Sequence, residues 1–144
     1  MTESYFLTNY WSFDNNLNDL VSFANLYNPV SNGFTTDRYN NLTSAAILNN
    51  GSFQIPPGTY LNGNFTISVW IKVNTFNSWS KLIDFGNANN QSDNLFIALS
   101  SETVGVPCIK IYNDISNDVP LRLYSNVGLA LNKWQHIVFT LCNS

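Results

Sequence analysis

Phe65-Thr66-Ile67-Ser68-Val69-Trp70-Ile71-Lys72-Val73 is the stretch whose reading decides the fold. Phe65, Ile67, Val69, Ile71 and Val73 fall on one side of an extended segment, and Thr66, Ser68, Trp70 and Lys72 on the other. Strict alternation in a run rich in β-branched and aromatic types marks a strand with one dry face. A helix would scatter the five apolar residues around its circumference. The stretch predicts a central strand, with the shorter strands around it pairing to something of this length.

Working outward, residues 5–14 carry the aromatic run Asn9-Tyr10-Trp11-Ser12-Phe13-Asp14, which reads as an opening strand with Trp11 and Phe13 on one face. Residues 15–40 are polar, with Asn28-Pro29 and Asn32-Gly33 as turn signals. Leu17, Leu20, Val21 and Phe23 in that stretch predict packing onto the domain rather than disorder. Residues 44–48 and 51–55 are two short strand candidates. Past the central strand, alternation predicts strands over 81–85, 95–99, 108–112, 121–124 and 134–141. Such spacing is that of an all-β sandwich. Residues 18–26 are the one weak helix candidate.

The composition excludes several function classes. Charged residues make up 10% of the chain, against about 25% in an ordinary soluble domain. Six Lys and Arg in a chain of net charge −3 build no basic patch, so no nucleic acid partner is expected. No apolar run approaches the roughly 20 residues that cross a bilayer, so no membrane insertion is expected. Residues 1–9 lack the basic and apolar regions of a signal peptide. Cys108 and Cys142 are too few for a four-ligand zinc site. They are either two buried thiols or one cross-strand disulfide, which would need an oxidising compartment. Asn41, Asn50, Asn64 and Asn90 head N-x-S/T sequons, acceptors only in a secreted eukaryotic chain.

Three motifs carry a family resemblance. Tyr10-Trp11-Ser12-Phe13-Asp14 followed by Leu17-Asn18-Asp19 resembles the start of a laminin G-like jelly-roll domain, of the concanavalin A-like lectin/glucanase superfamily. The strand at 65–72 is similar to that family's central segment, and Trp134-Gln135-His136-Ile137-Val138-Phe139-Thr140 to its W-x-H-x-x-x-T strand. The resemblance spans residues 10–140 and implies an all-β fold of two antiparallel sheets packed face to face, a jelly-roll sandwich over a single domain, 1–144. Two departures stand out. Leu20-Val21-Ser22-Phe23-Ala24-Asn25 replaces the family's short Gly-rich turn. The family pattern also continues with further strands where this sequence stops at Ser144. The expectation is therefore a sandwich lacking its C-terminal strands, completed by another chain or self-associating through an open edge.

For chemistry, glycosidases of this sandwich need two carboxyls flanking the scissile bond. The chain has two glutamates, Glu3 and Glu102, and no strand with alternating carboxylates. His136 is the sole histidine and reads as a structural hydrogen-bonding residue. No nucleophile elbow or phosphate loop occurs. Asp14, Asn18 and Asp19 are metal candidates, with calcium as the cation, a reading the resemblance also raises. Trp79, Asn87, Tyr112, Asn113, Asp114 and Tyr124 are the ligand-binding candidates, because sugar recognition pairs an aromatic platform with amide and carboxylate side chains. The expectation is a non-catalytic extracellular or cell-surface module that binds a glycan or an extracellular protein, with a structural or assembly role as the alternative.

Overall fold

A computed structural model of the chain describes residues 6–86, 94–112 and 121–142. Eight strands and no helix occur among them, and every strand pairing is antiparallel. The all-β class is as the alternation predicts. The chain divides into two compact units, Met1–Asn62 and Gly63–Ser144.

In the first unit, β1 (Tyr27–Thr35) pairs with β2 (Ala45–Gln54). Here the structure corrects three expectations. Residues 27–35 of the polar stretch, where the turn signals lie, are a strand, and the two short candidates at 44–48 and 51–55 are one strand. Asn28 and Pro29 sit in the first irregularity of β1, and Asn32 borders the second. Register shifts separate Tyr27 from Val30 and Val30 from Asn32. Pro29, which has no N–H to give a ladder, lies in the first of them. Asn28 (φ 46°) and Ser31 (φ 43°) adopt the left-handed backbone that such bulges need. At the second shift a Cβ on Gly51 would stand 2.0 Å from the Val30 carbonyl oxygen, so only glycine fits. The third correction concerns the opening aromatic run, which forms a loop closed by a single bridge, Trp11↔Asp19. Phe13 turns the chain there with φ 60°, which ends any strand. No helix covers residues 18–26.

In the second unit, β3 (Phe65–Lys72) pairs with β8 (Trp134–Leu141) in unbroken register, from Phe65↔Leu141 to Lys72↔Trp134. Alternation then sorts the side chains. Phe65, Ile67, Val69 and Ile71 share one face with Leu141, Phe139, Ile137 and Gln135. Ile71 and the following Val73 are buried. Gln135 braces the approach to β8, accepting from the Ala130 amide (3.0 Å) and donating to its carbonyl (2.9 Å). The strand expected at the centre has β8 as its sole hydrogen-bonded strand among the described residues.

A four-stranded sheet runs β4 (Lys81–Phe85), β5 (Leu95–Ala98), β6 (Cys108–Ile111), β7 (Leu121–Tyr124), each beside the next. Its core cluster is Phe96, Ala98 and Cys108, with Trp79 and Tyr112 packed against it. Between β5 and β6, buried Ser100 accepts from the Gly105 amide (3.1 Å) and Ser101 donates to the Val106 carbonyl (2.8 Å). Gly105 is left-handed (φ 74°), and a Cβ there would meet the Phe76 ring at 3.0 Å. The disulfide alternative is not formed. Cys108 is a free thiol buried at the centre of this sheet, while Cys142 is a free, exposed thiol following β8, which pairs with β3 instead. Burial pushes the Cys108 thiol above its usual range, against the pull of Lys110, which leaves it unreactive.

Candidate functional site

The β3–β8 register places Thr66, Ser68, Trp70 and Lys72 opposite Thr140, Val138, His136 and Trp134, on the face away from the apolar one. Successive rungs on one face of a ribbon lie roughly 6.8 Å apart. The Trp70 ring is 43% exposed and stacks on His136, with centroids 5.0 Å apart and planes 17° from parallel. His136 Nε2 lies 2.8 Å from Ser68 Oγ, a hydrogen bond across the strands that fixes the imidazole beneath the indole. On one side of this pair, the Lys72 ammonium sits 6.0 Å from the centroid of Trp134. On the other, Thr66 and Thr140 hydroxyls bond to each other at 3.1 Å. The ribbon thus presents aromatic faces, one cation and a row of hydroxyls from two strands whose geometry is fixed by the sheet. Such a surface suits a ligand with apolar patches and hydroxyl rims.

The residues singled out from the sequence are placed otherwise. Trp79 meets Phe96 edge-on (6.2 Å, 84°) and Tyr112 stacks on Phe96 (6.1 Å, 28°), so both are half-buried core partners. Trp79 also covers the ammonium of Lys110 at 3.9 Å. Lys110 is only 3% exposed and lies 3.4 Å from Glu102, which Arg122 approaches at 3.5 Å. A buried cation between an indole and a carboxylate is a structural arrangement. Tyr124 is exposed on β7, in register with Cys108. Asn87, Asn113 and Asp114 lie outside the described residues. Structure thus joins Trp79 and Tyr112 through Phe96, and places its exposed aromatic pair elsewhere, on Trp70 and His136, with half-buried Trp134 beside them.

Of the metal candidates Asp14, Asn18 and Asp19, the third is crowded with hydrogen-bond donors. Its Oδ1 accepts from the amides of Tyr10 (2.8 Å) and Val21 (3.1 Å). Its Oδ2 accepts from Asn9 Nδ2 (2.7 Å), the Ser22 hydroxyl and the Ala24 amide (3.3 Å). Burial alone would raise its pKa, but the donors from Ser22, Tyr10, Val21 and Asn9 win and hold the carboxyl well below the usual range. Five donors leave no lone pair aimed at a cation. Asp14 and Asn18 are exposed, and among the described residues no group of three His, Cys, Asp or Glu side chains is placed to hold a metal.

Of the sequon asparagines, Asn41, Asn50 and Asn64 are exposed, and Asn90 lies outside the described residues. Asn41 is tied to the Asp37 carboxylate by its side-chain amide (3.0 Å) and its backbone amide (2.9 Å).

A laminin G family model, described as the concanavalin A-like lectin/glucanases superfamily, matches residues 48–144. Neither a curated relative nor a solved structure matches the chain. The matched span takes in most of β2 and every strand from β3 to β8, including both strands of the aromatic ribbon. By that match, over most of its length, the chain belongs to the laminin G-like branch of the concanavalin A-like lectin/glucanase superfamily.

Proposed function

We propose that this domain is a non-catalytic recognition module that binds a glycan on the outward face of the β3–β8 ribbon, in an extracellular or cell-surface setting. The observation that carries the reading is the Trp70–His136 stack, exposed yet locked by Ser68, with Lys72 and Trp134 one rung away. An aromatic held in place before the ligand arrives loses little entropy on binding. Membership of a superfamily of lectins and glucanases is compatible with binding or hydrolysis. The carboxylates favour binding. Among the described residues, Asp19 and Asp37 are engaged by loop donors, Asp84 by Lys81, and Glu102 by Lys110 and Arg122, while Asp14 is exposed on its loop. Hydrolysis requires a pair facing a cleft.

The test is a glycan array followed by titration calorimetry on the best ligand, with Trp70→Ala and Trp134→Ala. Each substitution should weaken binding about tenfold, since a stacked ring contributes about 0.5–1.5 kcal/mol in addition to the apolar area it buries. Full affinity in a folded Trp70→Ala variant, or no glycan bound by the parent, would refute the reading.

A further inference from the structure

Three asparagines stand directly before a glycine, in Asn32-Gly33, Asn50-Gly51 and Asn62-Gly63. The dipeptide carries a reaction of its own. Glycine has no Cβ to shield its nitrogen and lets the peptide plane rotate, so that nitrogen can reach Cγ of the preceding side chain. All three asparagines are exposed, so solvent access does not separate them. The backbone does.

Asn32 and Gly33 lie in β1, in register with Leu48 and Ile47 of β2. Asn50 and Gly51 lie in β2, where a Cβ on Gly51 would stand 2.0 Å from the Val30 carbonyl oxygen and 2.4 Å from that of Ser31. Turning either peptide onto its asparagine side chain would disrupt the β1–β2 pairing. Asn62 and Gly63 belong to no strand. They are the last residue of the first compact unit and the first of the second, just ahead of Phe65, where β3 begins. Gly63 is left-handed (φ 64°), with nothing within 4 Å of the place a Cβ would take. Among the described residues no hydrogen bond holds the Asn62 side chain or the Gly63 amide. Of the three peptides, this one can turn without breaking a pairing.

We propose that Asn62 is a covalent modification site, at which the folded chain loses a side-chain amide and forms isoaspartate. The Gly63 nitrogen gives up its proton and bonds to Asn62 Cγ. The Cγ–Nδ2 bond breaks, and ammonia leaves with the proton. The five-membered succinimide that results is opened by water. Water attacking the Asn62 main-chain carbonyl routes the chain through Cγ and leaves isoaspartate, whereas attack at Cγ leaves aspartate. Nothing is oxidised or reduced, and water is the sole co-reactant: an amide and water become a carboxylate and ammonia. Isoaspartate lengthens the backbone by one carbon ahead of β3 and adds a negative charge there. It also creates the α-carboxylate that isoaspartyl carboxyl methyltransferases esterify.

The experiment ages the full folded chain in mildly alkaline buffer made with oxygen-18 water, then maps it by proteolysis and mass spectrometry. The peptide holding Asn62 should gain the labelled oxygen. It should also accept a methyl group from S-adenosylmethionine when an isoaspartyl methyltransferase is added as the probe. Asn32 and Asn50 should convert at least about tenfold more slowly, as groups do that react only after local opening. In urea the three rates should converge, because the glycine alone then decides them. Asn62→Gln, which would have to close a slower six-membered ring, should abolish labelling at that position and leave the circular dichroism unchanged. The proposal is overturned if Asn62 stays intact in the folded chain while it converts in urea, or if Asn32 or Asn50 converts as fast as Asn62 in the folded chain. It is also overturned if the labelled product takes no methyl group, or if the three rates differ in urea as they do in the folded chain, since the fold would then select nothing.

Discussion

Replacing Asp19 by asparagine changes one oxygen to an NH2 group and leaves the shape of the side chain almost intact. Its Oδ1 can keep the amides of Tyr10 and Val21. The new amide, however, stands where Oδ2 accepted from Asn9 Nδ2, Ser22 Oγ and the Ala24 amide. Ser22 can rotate to accept, but Asn9 and Ala24 then face a donor. Hydrogen bonds to a charged group are worth about 1.5–3 kcal/mol each, and unsatisfied buried donors about 1–3 kcal/mol. Bonds sharing one carboxylate are not additive. A loss of about 3 kcal/mol is therefore expected, a large fraction of the stability of a small unit. Urea melts measure the total, and amide hydrogen exchange reads it locally: the Val21 and Ala24 amides should lose protection while β5 and β6 keep theirs. If Asp19→Asn costs less than about 1 kcal/mol and the two amides stay protected, the carboxylate does not organise the loop.

Other outcomes follow from the same geometry. The depressed Asp19 pKa means that its contribution is complete above the ordinary carboxylate value of about 4 and is lost as pH falls below it. Acid titration of stability should show that loss in the parent and not in Asp19→Asn. Trp70→Ala should cost about 1–2 kcal/mol in a melt, because a half-exposed cross-strand stack is worth less than a core aromatic; a cost above about 4 kcal/mol would place the ring in the core. Gly51→Ala should destabilise the β1–β2 pair by about 2–3 kcal/mol, since its Cβ collides with the Val30 carbonyl; an unperturbed melt would show that the bulge is misplaced. A thiol reagent should label Cys142 at once and Cys108 only on unfolding, and a native chain with no reactive thiol would mean that the two are paired.

What could be read in advance depended on how local the signal was. The six strands from β3 to β8 are short runs of clean alternation, and period two is a local property. The same rule failed at Trp11 and Phe13, where two aromatics two residues apart imitate a strand and a left-handed Phe13 ends it. Asn28-Pro29 and Asn32-Gly33 are ambiguous for a physical reason: a tight turn and a β-bulge ask for the same left-handed or glycine backbone. Only pairing between strands separates the two, and pairing is not written in either strand. The site suffered from the same gap. The face of Trp70 is legible in its own strand, but the register that stacks His136 on it joins residues 66 positions apart in the chain. Asp19 reads from the sequence as a metal candidate, and the five donors that its carboxylate accepts from are visible only once the loop is placed.

The low charge of the chain becomes intelligible from these placements. A protein with so few charged side chains must make its polar surface from amides and hydroxyls, and asparagine tolerates the left-handed backbone of bulges and tight loops. Its carboxylates are then free to act as internal acceptors: Asp19 for its own loop, Asp37 for the turn at Asn41, Glu102 for Lys110 beneath Trp79. The cations follow the same economy, with Lys72 over Trp134, Lys81 over Phe96 and Lys110 over Trp79. Of these three, Lys72 alone lies on the outward face of the ribbon, beside the exposed stack. The glycan binding proposed there would rest on ring stacking and hydroxyl contacts more than on ionic attraction. Raised salt, which screens charge and strengthens apolar burial when the anion is sulfate, should leave it intact. If affinity for the array-selected glycan instead falls steeply between low and high sodium chloride, Lys72 rather than the aromatic platform dominates recognition, and the assignment of the site to Trp70 and His136 fails.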